Sequence, residues 1–211
     1  MSNEKLVWID CEMTGLDLAG GDVLIEVAAL VTDGELNVLG DGVDVLIKPE
    51  PAALERMTDF VRDMHVKSGL LAELDQGVST EEAEQQVLDY LKQHIPSDFR
   101  APLAGNTIGT DRAFLARYMP TLEQFVHYRN VDVSSVKELA RRWFPRVYFN
   151  TPPAKSGNHR ALADIQESIE ELRYYREVLF VGEPGPDTDT CKAAAAKHQG
   201  SLTGATPPAA E

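Results

Sequence analysis

The chain has few cysteines, too few basic residues for its acids and no long apolar run, and each shortage narrows what it can be. Its two cysteines, Cys11 and Cys191, make neither a disulfide framework nor a metal-ligand spacing, which fits a reducing, cytoplasmic location. The longest apolar stretch, VLIEVAALV at 23–31, has about half the length a membrane span requires, and it contains Glu26. The N-terminus lacks the basic-then-apolar pattern of an export signal. Twenty basic side chains face 34 acidic ones, for a net charge of -14. That argues against a protein gripping long DNA or RNA through many phosphates, which needs a basic stripe. It leaves room for a short oligonucleotide, because a carboxylate site loaded with divalent cations is locally far less negative than its sequence. The charge therefore limits substrate length more than substrate class.

What is present suffices for one ordinary domain: 211 residues, 43% of them apolar. Strand patterns occupy 5–10, 23–33 and 36–49, separated by Gly/Asp turns, and short links between them predict an antiparallel meander. Helical signals begin near AALERMTDFVRDM and become clear at 79–95. There Ser79 and Glu82 form a capping box, and Ala83, Val87, Tyr90, Leu91 and Ile95 trace one face. Strands at 101–107 and 125–133 each feed a helix, DRAFLARYM and SSVKELARRWF, the latter with Val136, Leu139, Ala140 and Trp143 on one face. A loop at 150–158 leads to a long closing helix at 159–180 with Leu162, Ile165, Ile169 and Leu172 inward. This order predicts an α/β protein, a mixed sheet with helices packed on it. After Val181 the chain turns to Gly, Pro, Ala and Thr, so 1–181 reads as the folded domain and 182–211 as a disordered tail in which CKAAAAKH is at most transiently helical.

The first strand poses the chemical question. In KLVWIDCEMTGLD, Asp10 and Glu12 share a face with Leu6 and Trp8, and both faces of the strand are otherwise apolar. Two like charges side by side in a core are unfavourable unless something positive lies between them, and a divalent cation is the economical candidate. With 34 acids a D-x-E triplet arises about once by chance, and Asp33 and Glu35 supply such a decoy around Gly34 in a turn. Strand-end acids facing solvent are the alternative reading of Asp10 and Glu12.

Three further residues extend the constellation. Asp111, in GNTIGTDRAFL, follows a short strand at the mouth of a helix, where capping alone would favour an acid and Thr110 is an alternative cap. His159 and Asp164 lie five residues apart, about 140° around a regular helix, so helix geometry alone does not give them one face. If Asn158 or a neighbour caps the helix, His159 sits on the entry turn and can swing over a site that Asp164 reaches from within. His127 and Asp132 share the spacing, but in a strand an odd offset sends them to opposite faces, and that pair reads as structural. Carboxylates without a cysteine cluster suit Mg²⁺ or Mn²⁺ better than a structural zinc. Histidine, whose ordinary pKa lies near neutrality, suits a general base. Together they describe two-metal hydrolysis of a phosphodiester.

The strings WIDCEMTGLD, GNTIGTDRAFL, YRNVDVSSVKELARRW and HRALADIQESIEELRYYRE closely resemble the oligoribonucleases, within the DEDDh exonuclease superfamily that also holds RNase T and a proofreading subunit of DNA polymerase III. The likeness spans about residues 4–181. It implies a ribonuclease H-like mixed five-stranded sheet flanked by helices, a homodimer, and 3'-to-5' hydrolysis of very short RNAs, dinucleotides especially, to nucleoside 5'-monophosphates. Carried onto this chain, it implies that Asp10, Glu12, Asp111 and Asp164 hold two Mg²⁺ or Mn²⁺ ions and that His159 deprotonates the attacking water. Leu16 and Phe60 would wedge the bases, and His65 would join the substrate contacts. Thr107, Arg129, Ser134 and Ser135 would cap the 5' phosphate, with Tyr128 supplied by the partner protomer. Many relatives carry Trp and Ser where this chain has Phe60 and Thr107; Phe still stacks and Thr still donates, so affinity is expected to be retuned rather than lost. Without the resemblance, Arg129 reads equally as a surface cation and Phe60 as helix packing, while Trp143 reads as core or dimer interface. Two other readings stay open: a general single-strand or proofreading 3' exonuclease acting on longer RNA or DNA, and a non-catalytic RNA-binding scaffold.

Overall fold

The computed structural model describes residues 4–152 and 159–199. Five strands, β1 (Leu6–Met13), β2 (Leu24–Thr32), β3 (Val38–Leu46), β4 (Pro102–Gly105) and β5 (His127–Asp132), form one sheet in the order β3-β2-β1-β4-β5. β1, β2 and β3 are an antiparallel meander, whereas β4 pairs parallel with β1 and β5 parallel with β4. β1 is thus the central strand, as its two apolar faces required.

One face of the sheet carries Val7, Ile9 and Cys11, packed against helices α4 (Thr80–His94) and α5 (Gly109–Tyr118). The other carries Trp8, packed with Ile165 and Ile169 of α9 (Ala161–Leu179) and Ala140 of α7 (Val133–Trp143). Alternation along β1 sends Asp10 and Glu12 to the Trp8 side. The expected core residues of α4 are all buried, and its capping box is complete: Ser79 Oγ accepts from Glu82 N at 3.2 Å and Glu82 Oε2 accepts from Ser79 N at 3.1 Å. Such a cap stabilises a helix by about 1 kcal/mol.

Several elements depart from the sequence expectation. The helical region after β3 divides into α1 (Pro51–Glu55), α2 (Asp59–Lys67), α3 (Leu70–Glu73) and a 3-10 turn, each re-entry set by a break such as Thr58, whose hydroxyl accepts from Val61 N. Short helices α6 (Pro120–Phe125) and α8 (Pro145–Phe149) each begin at a proline, whose fixed φ suits a first helical position. On α7 Val133 and Ala140 face the core, but Leu139 and Trp143 stay exposed. Asn158, the candidate cap, and 153–158 of the expected loop lie outside the described residues, as do 200–211 of the tail. The described part of the tail includes α10 (Thr188–His198), started by the Asp187 side chain accepting from Thr190 N; none of its residues is buried. Among the described residues no helix is long and apolar enough to cross a membrane.

Candidate active site

The acids meet at the end of the sheet where the parallel strands β1 and β4 terminate. Asp10 and Glu12 come from β1. Asp111 lies in the first turn of α5, which begins four residues after β4 ends, and it is buried rather than a solvated cap. Its Oδ1 accepts from Cys11 N at 3.1 Å, so the side chain is aimed at β1. The helix carrying Asp164 begins at Ala161, not at 159. His159 therefore precedes the helix, with φ at 46°, and the 140° objection disappears because only Asp164 obeys helical geometry. Glu12, His159 and Asp164 each offer a ligand-type atom, and these atoms lie within 4.8 Å of one another.

The electrostatics are those of an unanswered cluster. Burial, then repulsion from Asp111, Glu12 and Asp164, pushes Asp10 well above the carboxylate range. Glu12 is pushed up to about 8 by burial and by Asp164, Glu26 and Asp111, against a smaller pull from Arg160. Burial takes Asp111 to about 7 despite its backbone hydrogen bonds, and burial with Glu167 takes Asp164 to about 6, His159 opposing. Among the described residues no lysine or arginine pairs with any of these four acids.

The other expected residues fall into three groups. Leu16 is 75% exposed on the loop after β1, and Phe60 is 79% exposed at the start of α2. The Leu16 loop is knotted by Asp22, which accepts from Thr14 Oγ1 at 3.1 Å and from Asp17 N at 2.8 Å. A side chain at Gly15 would displace that carboxylate, because its Cβ would lie 2.3 Å from Asp22 Oδ2. His65 is fully buried, its Nε2 at 2.9 Å from Met13 O; its Nδ1 has no hydrogen-bond partner and faces Glu12 Oε2 at 3.8 Å. It adjoins Glu12 but, being fully buried, is not exposed to a substrate as the expectation had it. Thr107, Ser134 and Ser135 gather around Asp132: Thr107 N and Ser134 N donate to Oδ1 at 2.9 and 3.2 Å, Ser135 Oγ donates to Oδ2 at 2.6 Å, and the Thr107 and Ser134 hydroxyls lie 3.0 Å apart. Tyr128 is exposed, with the Arg129 guanidinium 5.6 Å from its ring centre. In the decoy pair, His127 Nδ1 accepts from Arg129 N while Asp132 caps α7, so both serve local structure.

The chain matches the Exonuclease family model, RNase_T, over residues 7–172. It is 70% identical to an oligoribonuclease of Cutibacterium acnes over 95% of this chain and 98% of that protein. The chain belongs to the oligoribonuclease family of exonucleases. It is also 65% identical to the Streptomyces coelicolor oligoribonuclease, over 93% of this chain and 97% of that one. The fold is shared with exonuclease I of Methylocaldum szegediense, at TM-score 0.58 and 21% identity, over 83% of this chain and 41% of that chain. An Escherichia coli exonuclease I–ssDNA complex gives TM-score 0.61 at 16% identity, over 84% of this chain and 41% of that chain. Membership makes this chain a nuclease, and the acidic cluster on a mixed five-stranded sheet is its candidate centre.

Sequence reasoning passed over Glu26 and Arg160, which border this cluster. The available signal was the same one that singled out Asp10 and Glu12, an acid inside an apolar strand.

Proposed function

We propose that this chain is a 3'-to-5' exoribonuclease that releases nucleoside 5'-monophosphates from very short RNAs, dinucleotides especially. The observation that carries the reading is the convergence of Glu12, His159 and Asp164 on one point, with half-buried Asp10 and buried Asp111 near enough to repel them. The names of the relatives and the net charge of -14, unsuited to long polyanions, support the substrate class.

The donor set fits divalent ions. Asp10, Glu12, Asp111 and Asp164 are oxygen ligands whose raised pKa values express a need for positive charge, and the orphaned Nδ1 of buried His65 faces one of them. These four would hold two Mg²⁺ or Mn²⁺ ions, which when bound supply water activation and stabilise charge on the leaving oxygen. His159, exposed at the rim and held outside the helix, takes the proton of the attacking water. Leu16 and Phe60, apolar and exposed, offer faces between which terminal bases stack. The hydroxyls of Thr107, Ser134 and Ser135, with Arg129, form the 5'-phosphate cap, while His65, expected among the substrate contacts but fully buried, acts through Glu12, 3.8 Å from its Nδ1. Such a cap suits a substrate with one terminal phosphate and rejects a chain that continues past it.

The same reading takes the active form as a homodimer in the cytoplasm, with Tyr128 acting across the interface. Exposed Leu139, Trp143 and Phe144 on and after α7, and Phe149 on α8, supply apolar surface for a second copy. Residues 1–181 form the catalytic domain and 182–211 an appendage to it.

The deciding experiment is hydrolysis of 5'-labelled RNAs from two to twenty nucleotides. A steep preference for dinucleotides is expected. Equal rates across the series would replace this reading with a general single-strand exonuclease.

A further inference from the structure

Every residue of β2 is buried, and Glu26 sits among them with no exposure at all. A carboxylate there is tolerated only if both oxygens are answered. Both are. Oε1 accepts from Arg160 Nε at 2.8 Å, and Oε2 accepts from Ala161 N at 2.9 Å. The second arm of Arg160 reaches Glu73 Oε2 at 3.0 Å, and Asp44 of β3 faces the same guanidinium. Meanwhile the register of the sheet sets Glu26 directly across from Glu12.

This pairing does what the chain around α9 does not do for itself. The residue before the helix, Arg160, makes no side-chain cap, and the free N–H of Ala161 is satisfied by a carboxylate 135 residues away. The start of α9 is thereby fixed to the sheet. His159 adjoins that anchor with φ at 46°, a conformation a side-chain-bearing residue keeps only when its surroundings impose it. Asp164 follows within the first turn, its N–H donating to Arg160 O at 3.0 Å. Both residues that meet Glu12 are therefore hung from Arg160, and Glu12 itself stands beside Glu26 on the neighbouring strand.

We propose that Glu26 and Arg160 are positioning residues for hydrolysis: together they form a tertiary cap that holds His159 over Glu12, and at saturating Mn²⁺ their effect on rate passes through His159. The proposal rests on His159 acting as the water-facing base. Its effect falls on the chemical step, since neither residue belongs to the wedge or the phosphate cap.

A double-mutant cycle on hydrolysis of a labelled RNA dinucleotide at saturating Mn²⁺ tests it, with Tm measured for each variant. Arg160→Met and Glu26→Gln are expected to lower kcat by about 10- to 100-fold, the usual effect of groups that orient site residues, with KM within about threefold. In a His159→Ala background, Arg160→Met should cost less than about threefold more, because a misplaced base cannot be lost twice. Arg160→Lys, which keeps one donor for Glu26, should recover part of the rate. The paired change Glu26→Gln/Arg160→Met removes both charges, keeps an acceptor for Ala161 N–H and protects folding. It should melt no lower than Arg160→Met alone and still lose at least about tenfold in kcat. Equal losses from Arg160→Met in both backgrounds would overturn the clamp while leaving the base reading intact. So would a lowered Tm with unchanged kcat, or full activity in the paired variant. An unaffected His159→Ala enzyme would instead overturn the base reading itself, and the clamp with it.

Discussion

Asp10-Cys11-Glu12 and Asp33-Gly34-Glu35 are the same triplet of charges in two settings. The second pair lies in the turn between β2 and β3. There Asp33 accepts hydrogen bonds from Asn37 Nδ2 at 3.0 Å and from the N–H groups of Asn37 and Glu35 at 2.9 Å, and these hold its carboxyl below the ordinary value. Glu35 is paired with Arg176. The first pair lies in the central strand, where burial and neighbouring acids push both carboxyls up. In the turn the fold answers the charge with donors and an arginine. At the strand end it collects four acids and, among the described residues, pairs none of them with a lysine or arginine, an arrangement that marks a candidate site.

The comparison breaks most visibly if the two pairs prove interchangeable. Asp10→Ala should lower divalent-ion-dependent hydrolysis by on the order of 10³-fold or more, since the stabilisation lost amounts to several kcal/mol of barrier. Hydrolysis surviving in Asp10→Ala would remove the acid cluster from the mechanism. Next, His159→Ala should cost roughly 10²-fold while calorimetric titration still shows ion binding. Loss of ion binding as well would make His159 a ligand, a role its distance to Glu12 and Asp164 permits.

A thermal-melt series sharpens the contrast without any substrate. The folded pKa of Glu12, about 8 against an ordinary 4.5, is raised, as are those of Asp111, about 7, and Asp164, about 6, against 3.8. Protonated carboxyls therefore favour the folded state, and stability present at low pH is lost as pH rises. The Tm of chelator-treated protein should fall between about pH 4 and pH 8, and saturating Mg²⁺ or Mn²⁺ should flatten that slope. A flat metal-free profile would mean that the cluster is not under repulsion. The smallest effect belongs to the turn: Asp33→Asn should leave the hydrolysis rate within about twofold, as expected of a surface change remote from a site.

Much of this architecture was legible in local pattern. The five strands, the Ser79/Glu82 box and the inward faces of α4 and α9 depend on alternation or on contacts three or four residues apart, which a sequence displays directly. The candidate site was legible as residue types but not as an arrangement. Asp111 reads equally as a helix cap in the sequence, whereas its carboxylate accepts from Cys11 N, a contact spanning 100 positions. His159 and Asp164 are misaligned on a regular helix starting at 159; the alternative that the sequence leaves open, His159 on the entry turn, is the one found, with the helix starting at Ala161. Trp143 and Leu139 match a buried stripe by spacing, yet among the described residues no neighbouring element covers them.

The two long helices mark the division most clearly. α4 starts where its own sequence says, because donor and acceptor of its cap are three residues apart and need nothing else to meet. α9 starts where Glu26 of a distant strand can receive its first N–H, and that depends on sheet register, on burial and on Arg160. Short-range hydrogen bonds carry little closure entropy and so are written in adjacent letters; a bond across 135 residues forms only after the rest of the fold has met that cost. The sequence by itself therefore determined the strands, the first caps and the inventory of acids. Only the tertiary structure decided that His159 stands outside its helix and within reach of Glu12.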